Sequence, residues 1–408
     1  MDTENILLSK KEATFQYMLY ISTLEDLERL VGVKKKVFAQ AKAFSNLLNS
    51  PTILVWNSGG NVRVSHVEGS RTYELAANLF ALRNKFDKLL YYKKLRKVLP
   101  FVISYDSGQR IAYLRCTLYN KSFLNLLSCL KKENYKVAIE IPTSTFLKEY
   151  SNKGVAGRYL YLSYAKYHQA IYSIADLIVA IGEISESLKG FEHKVLETSN
   201  GIDLSEVPLI GPPAFTKQLN LIGVANVSYW HGYDRLLRGL AEYYASSKGF
   251  EVNFHVVGDG PELSALRNLT EKLKLDSHVF FHGRKSGNEL YEVYKKRHVG
   301  IGSLGNHRKN MFTTSELKLR EYCACGLPFL HATSDSDFPE QFPFALKVQS
   351  NEEPIDVLEI IRFYERIREQ YPDYPEQMRK YAEENLTWDM KLHQVIERIQ
   401  ESISTGGE

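Results

Sequence analysis

Cysteine is scarce in this chain. Cys116, Cys129, Cys323 and Cys325 are the four in 408 residues, and none stands at a metal-ligand spacing from a histidine. That excludes a disulfide-stapled scaffold and a cysteine-built zinc module, and leaves the four as small buried apolar side chains. Long apolar runs are missing as well. None approaches the ~20 residues that span a bilayer, and the nearest, AIYSIADLIVAIG, is broken by Asp176. The amino-terminal stretch lacks a basic-then-apolar leader pattern, so a cytoplasmic protein is expected. Internal repeats, low-complexity tracts and heptad runs are also absent.

What is there is ordinary globular material, 44% hydrophobic and 25% charged. The length exceeds one typical core, so two domains of roughly 200 residues each are expected. Net charge is +4, but it is unevenly spread. Up to Ser205 there are 28 basic and 19 acidic residues, and beyond it 24 and 29. Such asymmetry suggests that the first half meets an anionic partner.

Short β-branched or aromatic strands alternate with longer amphipathic helices in both halves, the pattern of parallel sheets with helices on each face. In the first half, strands are expected at residues 17–22, 52–56, 101–105, 136–141 and 177–181, with a helix over 34–48 entered through Gly32. In the second, strands at 220–227, 253–257, 278–282 and 299–304 alternate with helices starting near Asp234, Pro261 and Ser286. Ser286 and Glu289 fit a capping box. Turn formers cluster at 199–213, giving expected domains of 1–205 and 206–385, with a last helix in 386–408 packing across them. Two such domains leave a cleft at the carboxyl ends of their strands.

The segment SELKLREYCACGLPFL, beginning at Ser315, reads as a helix that stops at Gly326 and turns through Pro328 into a buried strand. Ser315 takes the N-cap, with Lys318 and Glu321 a turn apart. A helix start offers free N–H groups and partial positive charge, to which Lys318 adds a full one. Glu321 can accept hydrogen bonds from two neighbouring hydroxyls. Phosphate at one end and a diol at the other describe a nucleoside diphosphate; an ordinary amphipathic helix before a strand is the alternative.

At these residues the chain resembles the retaining glycosyltransferases of GT-B architecture, family 4, whose fold is two Rossmann-like doubly wound parallel-sheet domains facing across a cleft. SNGID from Ser199 resembles the interdomain signature of that family. VVGDGPE from Val256 is similar to its glycine-proline turn, FFHGRKSGNELYEVY to a strand-and-helix motif, and REYCACGLPFL to its glutamate-helix segment. Where the family usually has a first glutamate, Thr313 stands, so Lys318-x-x-Glu321 resembles a variant branch. The usual Arg and Lys clamp of the diphosphate is replaced by Asn226 and His231.

The resemblance implies that Glu321 contacts the ribose, while Thr313, Thr314, Ser315 and Lys318 take the pyrophosphate near Gly258. Arg308 and Lys309 are candidates to replace the missing clamp charge. Gly32 and Lys34 resemble a glycine loop facing the donor phosphates, with a plain loop glycine as the alternative. Arg284 and Lys285 would lie near the nucleobase, or be solvated. Glu140, ending a strand, would position or deprotonate an acceptor hydroxyl. The expected catalytic residues are thus Glu140, Lys318 and Glu321.

Asp335-Ser336-Asp337 spells a metal-binding triplet of another fold, but its place favours turn chemistry. The run from Arg83 through Lys85, Lys88, Lys93, Lys94, Arg96 and Lys97 interleaves seven cations with apolar residues. It suits an anionic membrane surface or a solvated helix face, and no nucleic-acid module accompanies it. The expected activity is retaining transfer of a sugar from a nucleoside diphosphate to a saccharide hydroxyl. The acceptor would be lipid-linked, at the inner face of the cell membrane, with neither metal nor cofactor. A non-catalytic GT-B subunit is the alternative, and a nucleotide-sugar epimerase a third reading.

Overall fold

The computed structural model describes residues 15–22, 25–28, 30–101, 109–116, 118–142, 154–182, 186–246 and 249–404. The chain divides into two compact units, Met1–Thr198 with Leu392–Glu408, and Ser199–Lys391.

The first unit holds an eight-stranded sheet ordered β4-β3-β2-β1-β5-β6-β7-β8. Its strands are β1 (Phe15–Ile21), β2 (Thr52–Ser58), β3 (Asn61–Glu68), β4 (Arg71–Ala81), β5 (Gln109–Arg115), β6 (Tyr135–Ile141), β7 (Leu177–Ile181) and β8 (Val195–Thr198). From β2 through β1 to β8 all neighbours are parallel; β3 and β4 add an antiparallel meander. That meander is absent from the expectation, although Gly59-Gly60 carries the turn. Both glycines have positive φ, +58° and +76°, as a two-residue primed hairpin requires. The strand expected at 101–105 lies, apart from Phe101, outside the described residues. Phe101 closes a 3₁₀ turn, residues 102–108 lie outside the described ones, and β5 takes the central place.

Helix α1 (Val31–Leu48) lays Phe44 against Tyr20 and Tyr113. After the short α2 (Lys85–Leu89), the opposite core receives α3 (Tyr91–Val98), α4 (Lys121–Lys132) and α5 (Gly154–Ile174) through Tyr91, Tyr92, Leu95, Phe123, Leu127 and Tyr172. No helix among the described residues is long and apolar enough to cross a membrane.

The second unit is a six-stranded sheet ordered β11-β10-β9-β12-β13-β14, every pair parallel. It comprises β9 (Gln218–Asn226), β10 (Glu251–Asp259), β11 (Val279–Phe281), β12 (Val299–Ile301), β13 (Phe329–His331) and β14 (Ala345–Lys347). Helices α6 (Tyr233–Ser246), α7 (Leu263–Lys272), α8 (Asn288–Tyr294) and α9 (Leu317–Cys325) connect them, followed by α10 (Val357–Gln370) and α11 (Tyr374–Asn385); the last helix, α12 (Trp388–Ser404), begins in this unit and belongs to the first from Leu392 on. The capping box at Ser286 does not form; α8 is preceded by Gly287, and no side chain caps it. Gly326 does end α9, at φ +77°.

Asp335 and Asp337 bind the fully buried Arg320 guanidinium, and Arg320 Nε donates to the Asn200 carbonyl at 3.0 Å. Ser199 Oγ at 2.9 Å and Lys391 Nζ at 2.7 Å both donate to Asp337 Oδ1. The aspartate pair thus anchors α9 and both ends of the unit.

Candidate active site

In the second unit the loops leaving the carboxyl ends of β9, β10 and β12 pack tightly. A Cβ on Gly258, at φ +130°, would meet the Ala225 carbonyl oxygen at 1.8 Å, and one on Gly232, at φ +63°, the Gly305 nitrogen at 2.6 Å. Only glycine permits such approach. Gly258 also donates its N–H to the Gly283 carbonyl at 2.7 Å, so that group is not offered to a phosphate.

The start of α9 stands among these loops. Glu316, not Ser315, is the N-cap residue, and no side chain caps the helix. Ser315 is engaged instead by Asn200, whose backbone N–H donates to Ser315 Oγ at 2.7 Å and whose side-chain amide donates to Ser315 O at 2.6 Å. Thr314 shares a 2.5 Å hydrogen bond with Thr333, and Thr313 bridges to Ser334. Glu316 turns its carboxylate inward, accepting from Ser303 N–H at 3.1 Å and Ser303 Oγ at 2.8 Å, and lies 3.5 Å from Lys318 Nζ. Lys318 also approaches Tyr233 Oη at 3.5 Å. Burial lowers the Lys318 pKa, and the Glu316 charge opposes that fall.

His231 completes the cluster. Its Nδ1 lies 3.0 Å from the Ser228 nitrogen and 3.2 Å from the Ser228 carbonyl oxygen. Burial, then the Lys318 charge, pushes the imidazole pKa down to about 2, so His231 is neutral beside a lysine. Asn226 is exposed, and its carbonyl accepts from Ser228 Oγ at 3.1 Å.

Glu321, one turn further on, lies on the side of α9 toward α8. It hydrogen-bonds Tyr291, and its charge, after burial, raises the pKa of both Tyr291 and Tyr294. Lys318 pairs with Glu316. Glu321 is half-buried.

Arg308 is not a spare cation. Its guanidinium binds both Asp234 oxygens at 2.9 Å and Glu352 at 2.6 Å, and donates to the Tyr229 carbonyl at 2.6 Å. Lys309 lies over the Trp230 ring at 4.3 Å. Arg284 is exposed, 3.4 Å from Asp259, and Lys285 pairs with Glu289 at 3.4 Å.

The first unit revises three expectations. Gly32 lies inside the first turn of α1, not in a loop, and Lys34 is held by Glu28 at 2.8 Å. Glu140 is fully buried and saturated. It accepts from Lys36 at 2.9 Å, Gln40 at 2.8 Å and Tyr113 at 2.9 Å, with Arg115 at 3.3 Å. Burial would raise its pKa, but Lys36 and Arg115 hold it down to about 2. A carboxylate so enclosed is not a base for an acceptor hydroxyl. The later part of the basic run lies on α3, whose apolar residues Tyr91, Tyr92 and Leu95 belong to the core, so they are not free to enter a membrane. Arg83, Lys88, Lys93 and Lys97 are exposed, while Lys94 pairs with Asp87 at 2.6 Å.

Glu316 and Tyr233 were missed. Glu316 stands beside Ser315 in the sequence, and its polarity at a helix start was the available signal.

Residues 212–342 match the family described as glycosyl transferases group 1. That span runs from before β9 to beyond β13 and contains the whole α9 cluster. No curated protein matches the chain. Among solved structures, a glycosyltransferase from Rickettsia africae ESF-5 is similar with a TM-score of 0.60 at 13% identity, over 95% of this chain and 99% of that one. HepE from Anabaena, in complex with UDP, gives 0.60 at 11% identity, over 95% and 100%. The catalytic domain of starch synthase IV from Arabidopsis thaliana, bound to ADP and acarbose, gives 0.62 at 11%, over 96% and 100%. At these identities the likeness is one of fold, and the fold is GT-B.

Proposed function

We propose that this protein is a retaining glycosyltransferase that moves a sugar from a nucleoside diphosphate to a hydroxyl of a lipid-linked saccharide. The observation that carries this reading is the start of α9. A helix N-terminus that no side chain caps carries Lys318 in its first turn beside a neutral His231, with Glu321 one turn further on. Uncapped backbone amides with a lysine and a neutral imidazole close by suit the charge that builds on a departing diphosphate. Glu321, beside two tyrosines, is the candidate to hold the ribose diol.

In a front-face reaction the chain supplies no nucleophile. The acceptor oxygen forms the new bond to the anomeric carbon as the bond to the diphosphate breaks on the same face. The acceptor proton leaves to the departing phosphate oxygen. Protein groups orient the donor and stabilise that oxygen. Positive charge comes from Lys318 and the helix start, so activity without a divalent metal is part of the proposal. The group 1 match supports glycosyl transfer in general; the solved HepE and starch synthase IV carry UDP and ADP on this fold.

Calorimetric titration with UDP, GDP and ADP, and donor hydrolysis by wild type and Lys318→Ala, test it. A charged hydrogen bond contributes about 1.5–3 kcal/mol, so Lys318→Ala is expected to lose roughly ten- to a hundredfold in diphosphate affinity. Binding without hydrolysis or transfer would favour a non-catalytic subunit, and equal affinity in both proteins would remove the site.

A further inference from the structure

The other end of the second unit's sheet holds a feature that this reading does not use. Near the amino ends of the strands, one sheet face presents polar side chains in cross-strand register. Gln218 is paired with Glu251, Asn220 with Asn253, and His255 with Phe280. Alternate residues of a strand share a face, so these six lie together. With Lys296, Arg297 and His298, which follow the short helix α8, they line a wide-mouthed surface cavity of about 620 Å³.

Two groups lining the cavity are incomplete. Arg297 is 8% exposed, yet no carboxylate among the described residues pairs with it, and its Nε has no hydrogen-bond partner there. Burial pushes its pKa down to about 10. His255 is also 8% exposed; its Nδ1 shares a 2.9 Å hydrogen bond with His282 Nε2, while its own Nε2 has no partner among the described residues. Glu251, the only acid among the lining residues, is already held by Asn253 at 2.9 Å and Gln218 at 3.1 Å. A buried guanidinium without a counter-ion is costly, and a bound anion removes that cost.

We infer that this cavity is a second ligand site, which takes a small phosphate-bearing anion on Arg297 and His255. The guanidinium offers its fork to phosphate oxygens, Lys296 adds charge at the mouth, and His255 supplies the inner contact. Phe280 lies flat on His255 at 4.9 Å between centroids and closes the apolar side, which suits an organic phosphate as well as the free ion.

The test follows the ring signals of His255 and His282 by NMR in the full chain carrying Lys318→Ala, so that the α9 cluster contributes little. One arm adds inorganic phosphate and the other a hexose 1-phosphate, at constant ionic strength. Saturable shifts of both rings are expected in each arm, with a midpoint of about a millimolar. Tighter binding of the ester would identify an organic phosphate as the ligand, and equal binding the free ion. Adding Arg297→Met is expected to weaken binding about tenfold or more. The variant should fold, because it removes a buried charge that no described carboxylate compensates; Arg297→Lys should retain part of the response. Absence of saturable shifts in both arms, or shifts unchanged by Arg297→Met, would overturn the inference.

Discussion

Replacing Glu140 by glutamine separates a structural carboxylate from a catalytic one. Its oxygens receive Lys36, Gln40 and Tyr113 at 2.8–2.9 Å, with Arg115 close by, and the residue has no exposed surface. Glutamine keeps the shape but leaves Lys36, itself only 4% exposed, without its counter-charge. Breaking a buried pair from one side costs about 3–5 kcal/mol. At roughly 2–4 °C per kcal/mol for a unit of this size, the melting temperature should fall by about 6–20 °C. Lys36→Met combined with Glu140→Leu should recover much of that loss, because the stranded charge goes too. The pH dependence has a definite sign. The folded-state pKa is depressed to about 2, so the contribution is complete above the unfolded carboxyl value and is lost as pH falls from about 4 toward 2. Calorimetric melts and the specific activity of the folded fraction are the two assays. An unchanged melting temperature with collapsed turnover would refute the structural assignment.

Other outcomes follow from the second unit. Arg308→Ala should lower the melting temperature, since it breaks the Asp234 and Glu352 pairs, while changing diphosphate affinity no more than about threefold; a loss like that of Lys318→Ala would return Arg308 to the site. His231 titrates at about 2, so diphosphate affinity should show no histidine step between about pH 5 and 8 that His231→Asn abolishes. Gly258→Ala should not yield soluble protein, because its Cβ would lie 1.8 Å from a carbonyl oxygen; a stable variant would mean that the loops can part. Transfer should survive EDTA, and abolition restored by a divalent ion would end the metal-independent reading.

Most of the second unit was legible because its signals are local. The apolar period of α6, the turn at Gly258-Asp259-Gly260 and the stop at Gly326 each depend on residues a few positions apart. What was missed depends on distant partners. Glu140 finds Lys36 across 104 residues, and Arg308 finds Asp234 across 74; no spacing in the sequence announces either. An isolated cation reads the same whether it is free or consumed. The β3–β4 meander is different: Gly59-Gly60 is a local turn signal, but the alternation along Asn61–Glu68 is broken at Ser65-His66.

One carboxylate oxygen, Asp337 Oδ1, receives both Ser199 and Lys391. The second unit is therefore spliced into the first as a closed loop of chain whose entrance and exit are clasped together. A gene fragment encoding 199–391 alone should express as a folded piece with its clasp intact, and a peptide linker of a few residues could join its ends so that new termini open elsewhere. Asp337→Asn would loosen both ends at once, which should make the excised piece fray from its tips before its interior melts.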